Sequence, residues 1–283
     1  MNKVGIIGGS GFAGEELIKF LLSHSSASLT AVSSRELKDQ SVAQFVEGSD
    51  LKFVDPDDEI FFSCDVVFFA TPHGISMEKA KYFVQHGIKV IDLSADFRIK
   101  DLTIWMDWYN SDHKDPEGVE QSVYGLTELN KNLIKDANII AVPGCYPTAS
   151  ILGLLPLLDG SFKIDSITID AKSGISGAGR TTVNSSLLSD IKENFKAYAT
   201  SGHRHLPEIK QVLEGVYGSS LKINFLPHLI PAMRGIYSTM YVNLEAKPSG
   251  PLIDLYKNFY KESPNIQLMG EGEVPEILKV CQT

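Results

Sequence analysis

A glycine-rich turn joins an apolar strand to an amphipathic helix at the start of this chain. Residues 3–8 are apolar enough for a buried strand, and Gly8, Gly11 and Gly14 follow at intervals of three residues. The next segment, 15–23, has the apolar spacing of a helix. A strand, a glycine turn and a helix in this order are typical of a βαβ unit in which the first N–H groups of the helix bind phosphate. The alternative is a glycine turn without a ligand. In either case the feature restricts the first half of the chain to an α/β fold.

Strands and helices alternate through this first half. Apolar runs at 28–33, 65–70, 89–93 and 138–142 predict further strands, and 76–86 has a helical pattern. Strands that are apolar on both faces are typical of a parallel sheet covered by helices on both sides. We therefore predict an α/β fold with a Rossmann-type doubly wound parallel sheet.

The pattern changes after residue 144. Longer segments at 166–172 and 236–244 alternate apolar and polar residues, which is typical of an antiparallel or mixed sheet with one dry face. The sequence thus predicts two domains, a nucleotide-binding domain at 1–144 and an α+β domain at 145–283. A boundary at this point is expected to place Cys145 in an interdomain cleft, where ligand sites are common.

Composition excludes several classes of partner. The chain has 283 residues, 43% of them hydrophobic, and a formal net charge of −9. We expect no nucleic-acid partner and no membrane partner, since general binding to nucleic acid or an anionic membrane requires a positive surface. Three cysteines without C-x-x-C spacing indicate neither a disulfide framework nor a metal site. No signal peptide or transmembrane stretch is apparent, and a reducing cytoplasm is the expected location.

Cys145 directly follows the strand predicted at 138–142 and lies between two prolines. A helical pattern begins at Thr148, so the thiol is expected close to a helix N-terminus. The helix dipole and free N–H groups favour a thiolate there, and a thiolate can attack an acyl carbon. The alternative is a buried structural cysteine, which is the commoner fate of a free thiol.

The second predicted strand ends in Ser33, Ser34 and Arg35. In dinucleotide-binding folds this position holds a carboxylate when the ribose 2′-hydroxyl is free. A hydroxyl followed by a guanidinium suits a 2′-phosphate, because Arg binds phosphate through two parallel hydrogen bonds. We therefore expect NADP(H) in preference to NAD(H), with the acidic Glu36 next to the site.

Two further segments supply polar groups for covalent catalysis with a redox cofactor. His203 and His205 flank an arginine and are candidates for acid/base catalysis, with a surface, capping or metal-binding role as the alternatives. The glycine- and serine-rich loop at 172–180 can cradle an anion. Arginines at three positions could anchor an anionic substrate or form structural ion pairs: Arg98, Arg180 and Arg234.

Six motifs occur in order along nearly the whole chain: GGSGFAG at 8–14, LSADFR at 93–98, PGCYPT at 143–148, SGISGAGR at 173–180, HRHLPEI at 203–209 and PHLIPAMRG at 227–235. With these motifs the chain resembles the N-acetyl-gamma-glutamyl-phosphate reductase family of the semialdehyde dehydrogenase superfamily. The resemblance implies a second domain like that of glyceraldehyde-3-phosphate dehydrogenase. It also implies NADPH-dependent reduction of N-acetylglutamyl 5-phosphate to the 5-semialdehyde in arginine biosynthesis, with release of phosphate.

The resemblance also implies roles for individual residues. Cys145 would form the thioester, and His205, with His203 as the alternate, would transfer the proton. The residues expected on the substrate side are Arg98, Ser173, Arg180 and Arg234. The residues expected to bind NADP(H) are Gly8, Ser10, Gly11, Phe12, Ala13, Gly14, Ser34, Arg35, Pro72, Ser176 and Gly177. Members of the family are dimers or tetramers, so a homodimer or homotetramer is expected.

The family pattern normally continues for several dozen residues beyond Thr283, with a long helix that returns to the nucleotide domain. Without that helix the expectation is looser cofactor binding. Two alternatives therefore stand beside the main interpretation. One is a related reductase acting on an aminoadipyl or aspartyl phosphate, since one methylene changes binding by only ~1–3 kcal/mol. The other is a catalytically silent nucleotide-binding protein.

Overall fold

The structure is a computed structural model that describes residues 1–158, 162–183 and 193–280. The chain divides into two compact units, Met1–Gly144 and Cys145–Thr283. Cys281, one of the three cysteines, lies outside the described residues. Among the helices of the described ranges, none combines the length and apolar character needed to cross a bilayer.

The first unit is built on a seven-stranded parallel sheet of order β3-β2-β1-β4-β5-β7-β6. Its strands are β1 Asn2–Ile7, β2 Ala27–Ser33, β3 Phe53–Val54, β4 Val66–Phe69, β5 Lys89–Asp92, β6 Val123–Tyr124 and β7 Ile139–Ala141. Its helices are α1 Phe12–Leu22, α2 Ser76–Gln85, α3 Leu102–Tyr109, α4 Pro116–Gln121 and α5 Thr127–Asp136, with 3₁₀ turns at Val42–Gln44 and Glu59–Ser63. Strand order runs outward from β1 in both directions, so the point of reversal lies between β1 and β4. In open α/β sheets ligands bind at the carboxyl ends of the strands beside such a reversal.

Two apolar clusters cover the two faces of this sheet. One contains Phe69 and Val90 with the fully buried Trp105, whose ring stacks on Tyr109 at 4.9 Å. The other contains Ile6 of β1 together with Ile18 of α1. Burial on both faces explains the continuous apolar runs of the strands, and the predicted doubly wound α/β architecture is confirmed.

The second unit contains a four-stranded mixed sheet of order β11-β8-β10-β9. Strand β8 pairs in parallel with β10 and antiparallel with β11, and β9 pairs antiparallel with β10. The strands are β8 Ile164–Ser173, β9 Lys196–Ala197, β10 Ile223–Leu229 and β11 Ile236–Leu244. The helices are α6 Cys145–Leu154, α7 Arg180–Val183, α8 His205–Tyr217, α9 Leu252–Phe259 and α10 Ile277–Val280, with 3₁₀ turns at Leu155–Leu157 and Ile175–Ala178. The alternation predicted for the second half is present in β8, where Ile167, Ile169 and Ala171 are buried and the residues between them are partly exposed.

Several elements differ from the sequence prediction. Strands β3 and β6 have two residues each and β10 contains Pro227, so none of them shows a strand pattern in the sequence. Pro227 is tolerated in β10 although it has no N–H to donate to the sheet. Helix α6 begins at Cys145 and includes Pro147 in its first turn, where a proline removes no intrahelical hydrogen bond.

Candidate active site

The glycine loop after β1 is shaped by two close approaches of backbone. Gly8 has φ +91°, and a Cβ there would lie 2.7 Å from the carbonyl oxygen of Ala70. A Cβ on Gly14 would lie 2.7 Å from the Gly8 oxygen, so α1 packs directly on the loop. A Cβ on Gly11 meets nothing within 4 Å, which leaves that side of the loop open. Gly8 and Gly14 therefore set the turn, and Gly11 faces free space.

The open side of the loop is the N-terminus of α1. Gly11 is the N-cap residue and makes no side-chain cap hydrogen bond. Phe12 and Ala13 are the first residues of the helix, and Ser10 precedes it. The N–H groups and the positive dipole end of a helix N-terminus form a binding site for a phosphate anion. The residues present therefore fit the pyrophosphate of a dinucleotide.

The carboxyl end of β2 lies beside this loop. Ser33 accepts the N–H of Gly8 through Oγ at 3.2 Å, and Ser34 Oγ lies 3.0 Å from Ser10 Oγ. Arg35 is exposed. The Asp57 N–H, followed by Lys38 and Arg35, lowers the pKa of the exposed Asp55 carboxyl. A hydroxyl and two cations thus stand where a ribose phosphate would bind.

Pro72 is exposed in the segment that follows β4. The Ala70 N–H donates to the Ile7 oxygen at 2.8 Å, so this segment starts directly against β1. It continues to Gly74, whose φ is +93°. Pro72 thus lies at the carboxyl edge of the sheet, after β4. Arg35 lies after β2, on the other side of the point where the strand order reverses.

Two buried carboxylates follow β5, and sequence reasoning did not identify either of them. Asp92 accepts the Ser94 N–H at 2.9 Å and lies 2.8 Å from Ser94 Oγ. Asp96 accepts the N–H groups of Gly74 at 2.8 Å and Met77 at 3.1 Å. Burial, and then the charge of Asp96, raise the pKa of Asp92 to about 7.

Arg98 of the same motif is buried. Its Nε donates to the Val142 oxygen and its Nη2 to the Leu93 oxygen, both at 2.7 Å. These bonds connect the segments that follow β5 and β7. The structure thus commits two donors of Arg98 to the backbone at the sheet edge.

Cys145 is the first residue of α6 and its side chain is exposed, whereas Cys64 is buried. An exposed thiol at a helix N-terminus is the environment that stabilises a thiolate and leaves it accessible to a substrate. The neighbouring Tyr146 is buried, and its ring packs against His203 at 5.5 Å and His205 at 5.8 Å between centroids. The second unit therefore brings the helix of the predicted nucleophile to both predicted acid/base residues.

A hydrogen-bonded pair of tyrosines lies within this cluster, and the sequence analysis did not single it out. Tyr198 Oη donates to Tyr146 Oη at 2.9 Å, and Tyr146 Oη donates to the His228 oxygen at 3.5 Å. Burial raises the pKa of both tyrosines, so both remain protonated near neutrality. The charge of Cys145 also acts on both hydroxyls. A tyrosine directly after the cysteine and another before the histidine segment were the available sequence signals.

The two histidines occupy different environments. His205 is buried and begins α8. Its backbone N–H donates to His203 Nδ1 at 3.1 Å, so His203 Nδ1 is an acceptor and the ring proton of neutral His203 is on Nε2. Burial, and then the charge of Arg204, lower the pKa of His203 to about 4. His203 is therefore neutral at physiological pH.

The predicted anion-binding loop pairs with the segment before β11. The N–H groups of Ile175 and Ser176 donate to the oxygens of Ala232 and Met233 at 3.0 and 2.9 Å. A Cβ on Gly174 would lie 2.8 Å from the Arg234 nitrogen, so only glycine allows this approach. The structure thus brings Arg234 next to the Ser173 segment.

The other predicted residues of this loop lie at its end. Ser173 is buried at the end of β8, Ser176 is half-buried and Gly177 is exposed. Arg180 begins the short helix α7. Backbone N–H groups, hydroxyls and guanidinium groups gathered in one segment can bind phosphate or carboxylate.

Within the described ranges, no group of three His, Cys, Asp or Glu side chains could hold a metal ion. Each unit thus carries one part of the predicted chemistry. The first unit presents a dinucleotide-type phosphate site, and the second presents a thiol with histidines and an anion loop.

Family comparisons agree for both units. The family described as "Semialdehyde dehydrogenase, NAD binding domain" matches residues 3–137. The family described as "Semialdehyde dehydrogenase, dimerisation domain" matches residues 145–283. Together the two families account for nearly the whole chain.

Curated relatives carry one name. The N-acetyl-gamma-glutamyl-phosphate reductase of Polynucleobacter asymbioticus is 46% identical and that of Nitrosospira multiformis 45% identical, each over 99% of this chain and 83% of the relative. Among solved structures, aspartate semialdehyde dehydrogenase II of Vibrio cholerae complexed with ASA has a TM-score of 0.74 at 15% identity, covering 99% of this chain and 84% of that one. The aspartate semialdehyde dehydrogenase of Candida albicans with NADP has a TM-score of 0.62 at 18% identity, covering 93% and 76%. At such identities the solved structures support the fold alone.

Proposed function

The chain belongs to the semialdehyde dehydrogenase family, and from that premise we propose that it reduces N-acetyl-γ-glutamyl phosphate to N-acetylglutamate 5-semialdehyde and phosphate with NADPH. Relatives of that name are 42–46% identical over almost the whole chain. The observation that carries the chemistry is the exposed thiol of Cys145 at the start of α6, beside a tyrosine that contacts both histidine rings.

Cys145 performs the first step as a thiolate. Its sulfur attacks the acyl carbon, the bond from that carbon to the phosphate oxygen breaks, and a thioester and inorganic phosphate form. The helix N-terminus favours the thiolate over the thiol. Ser173, Arg180 and Arg234 would hold the carboxylate and phosphate of the substrate, because their segments supply N–H groups, hydroxyls and guanidinium groups.

When bound, the nicotinamide supplies the hydride that reduces the thioester carbon. His205 donates a proton to the oxygen of the resulting hemithioacetal anion and takes it back as the carbon–sulfur bond breaks, which releases the aldehyde and the thiolate. His203 is less suited to this role, because a pKa of about 4 leaves its ring as the neutral imidazole at neutral pH, whereas a general acid here must be an imidazolium. We therefore keep His205 as the acid/base residue and assign His203 to orientation through its Nδ1 contact.

NADP(H) is the cofactor that we propose. Gly8, Gly11 and Gly14 with Ser10, Phe12 and Ala13 would bind the pyrophosphate at α1, with Pro72 on the opposite wall. Ser34 and Arg35 would bind the 2′-phosphate, and Lys38 adds a second cation. Arg35→Ala should weaken NADPH binding about tenfold or more and leave NADH binding unchanged, since one guanidinium–phosphate contact contributes ~1.5–3 kcal/mol. If fluorescence titration showed equal losses of affinity for NADPH and NADH, the assignment of Arg35 to the 2′-phosphate would be contradicted.

The reverse assay tests the reaction. The full chain is supplied with N-acetylglutamate 5-semialdehyde, NADP and phosphate, and NADPH formation is followed by absorbance. Cys145→Ser should lower kcat by about 10³ or more, because a serine alkoxide is not available at neutral pH, while NADP affinity remains unchanged. Equal rates for the variant and the wild type would remove the thiolate from the mechanism. A wild-type chain without activity, and with ordinary iodoacetamide reactivity at Cys145, would support a silent nucleotide-binding protein.

Substrate identity is tested in the same assay. N-acetylglutamate 5-semialdehyde should have the highest kcat/KM when compared with aspartate semialdehyde and the N-acetylated aminoadipate semialdehyde. A pocket distinguishes one methylene by only ~1–3 kcal/mol, so the expected preference is about 10-fold to 200-fold. A higher kcat/KM for either competitor would favour a related acyl-phosphate reductase.

We propose that the protein is a homodimer or homotetramer assembled through the second sheet. Opposite residues of paired strands share a face, so Leu226 and Tyr241 lie on the face that carries Thr168 and Asp170. Tyr241 is 60% and Leu226 is 38% exposed there. Tyr241→Glu should halve the mass measured by light scattering if this face joins two copies. An unchanged mass would place the interface elsewhere.

A cytoplasmic location is part of the proposal. The mechanism requires Cys145 as a free thiol, and this side chain is exposed. Exposed reactive thiols persist in reducing compartments and are oxidised in others. Localisation of a tagged chain outside the cytoplasm would contradict it.

A further inference from the structure

Helix α2 is capped by a residue distant in sequence. Its own N-cap position, Ile75, provides no side-chain hydrogen bond. The buried Asp96 takes this place and accepts the N–H of Gly74 at 2.8 and 3.0 Å, the Ser76 hydroxyl at 2.8 Å and the Met77 N–H at 3.1 Å. A carboxylate here satisfies the free donors of the helix and interacts favourably with its dipole. The N-terminus of α2 is thus occupied by the protein, while that of α1 has no side-chain cap.

These hydrogen bonds also fix the segment between β4 and α2. That segment, 70–74, starts against the glycine loop, since the Ala70 oxygen lies 2.7 Å from the position of a Cβ on Gly8. It ends at Gly74, whose N–H is held by both oxygens of Asp96. One end is therefore fixed by the sheet and the other by Asp96. The exposed Pro72 lies between them, on the wall of the proposed cofactor site.

A second carboxylate supports the first through two hydroxyls. Ser76 Oγ donates its only proton to Asp96, and Ser94 Oγ lies 3.1 Å from Ser76 Oγ. Ser94 Oγ donates its proton to Asp92 Oδ2 at 2.8 Å and accepts the Asp96 N–H at 3.2 Å. Asp92 thus orients the hydroxyl that contacts both Ser76 and Asp96.

The two carboxylates share a buried environment. Asp92 and Asp96 are both fully buried. The His113 ring contacts the Asp96 carbonyl oxygen at 2.7 Å. Burial, and then the charge of Asp96, raise the pKa of Asp92 to about 7, although the two hydrogen bonds from Ser94 and the charge of Arg98 lower it.

We propose that Asp96 is a positioning residue for the dinucleotide, holding segment 70–74 against the glycine loop, and that Asp92 supports it by orienting the Ser94 hydroxyl. This inference rests on the proposed function, because it takes the bound dinucleotide to be NADPH. Asp96 does not touch the cofactor and acts through Gly74. It differs from a simple helix cap in that its loss must alter cofactor affinity.

The test compares NADPH dissociation constants of full-length variants by fluorescence titration. Asp96→Asn places an amide donor against N–H and O–H donors and should weaken NADPH binding about tenfold, the effect of one lost hydrogen bond to a charged group. The iodoacetamide rate at Cys145 should not change. Asp92→Ala removes the acceptor of the Ser94 hydroxyl and should weaken NADPH binding, whereas Asp92→Asn keeps an acceptor oxygen and should bind NADPH like the wild type.

Asp101→Asn is the matched control. Asp101 caps α3 through the N–H groups of Thr103 and Ile104, so its loss should lower the Tm without altering NADPH affinity. If Asp96→Asn lowers the Tm like this control and binds NADPH like the wild type, Asp96 is only a cap and the inference is overturned. Asp92→Asn binding NADPH as weakly as Asp92→Ala would overturn the role of Asp92 as the acceptor that orients Ser94.

A second variant covers the case in which Asp96→Asn does not fold. Ser76→Ala removes one of the hydrogen bonds to Asp96 and the connection to Ser94. NADPH affinity should fall about threefold, and an unchanged affinity would overturn the inference. A wild-type chain that does not bind NADPH would overturn the proposed function as well, which distinguishes the two failures.

Discussion

Asp92→Asn should stabilise the protein at neutral and alkaline pH. Asp92 is fully buried, and its pKa is raised from 3.8 to about 7 by burial and by the charge of Asp96. The unfolded chain loses the Asp92 proton near pH 4, whereas the folded chain keeps it to about pH 7. Between these values the folded state binds more protons, so stability falls as the pH rises. The fall is complete above pH 7.

The size of the effect follows from the same pKa difference. At 1.36 kcal/mol for each pH unit, ionisation of Asp92 in the folded state costs up to about 4 kcal/mol. Asparagine does not ionise and its amide oxygen can accept the hydrogen bond from Ser94. The variant should therefore exceed the wild type in stability by only about 1 kcal/mol near pH 4.5, where the unfolded wild-type chain has lost most of this proton. It should be more stable by up to about 4 kcal/mol at pH 8.

Urea unfolding followed by tryptophan fluorescence measures the stability difference between Asp92→Asn and the wild type in the first compact unit, which contains Asp92. The chain has two tryptophans, Trp105 and Trp108, and both lie in α3. The free energy of unfolding is compared at pH 4.5, 6, 7 and 8. Asp101→Asn serves as the control, because its free energy of unfolding should differ from that of the wild type by a constant amount from pH 6 to 8. A stability difference between Asp92→Asn and wild type that does not grow with pH would refute the reasoning. An asparagine variant that is less stable at pH 8 than the wild type would refute it as well.

Two predictions concern the second unit. His205→Asn should lower kcat about 100-fold or more, the usual contribution of an acid/base residue, whereas His203→Asn should lower kcat less than about tenfold. The reverse order in the NADP-dependent assay would exchange the roles of the two histidines. Tyr198→Phe removes the hydrogen-bond donor to Tyr146. This variant should lower kcat several-fold and shift the pH profile of Cys145 alkylation, while NADPH affinity stays unchanged. An unaltered alkylation profile would show that the tyrosine pair does not influence the thiol.

The parts of the fold that the sequence predicted are those with long, regular patterns. β1, β2, β4, β5 and β7 are apolar on both faces and were identified. β3 and β6 were not, because two residues carry no periodicity. β10 contains Pro227 and His228 and forms through its pairing with β8 and β9, which is tertiary context that a local pattern does not contain.

The site shows a similar division. Cys145, His205 and the glycine loop were predicted because each lies in a compact motif with a chemical signature. The chain from Asp92 to Asp96 was not, since it depends on Ser76, which is 18 residues before Ser94. Hydroxyls and carboxylates that are brought together from separate strands and loops do not form a motif of fixed spacing in the sequence.

Asp96 occupies the N-terminus of α2 but not that of α1, and this difference affects the rate of cofactor association. The protein has a net charge of −9, so its long-range field repels an anion such as a dinucleotide. Attraction arises at short range, at the start of α1 and from Arg35 and Lys38, whereas Asp96 already neutralises the start of α2. Added salt screens the long-range repulsion more than the contact interaction. Cofactor association should therefore become faster as ionic strength rises toward the physiological range, the opposite of electrostatic steering.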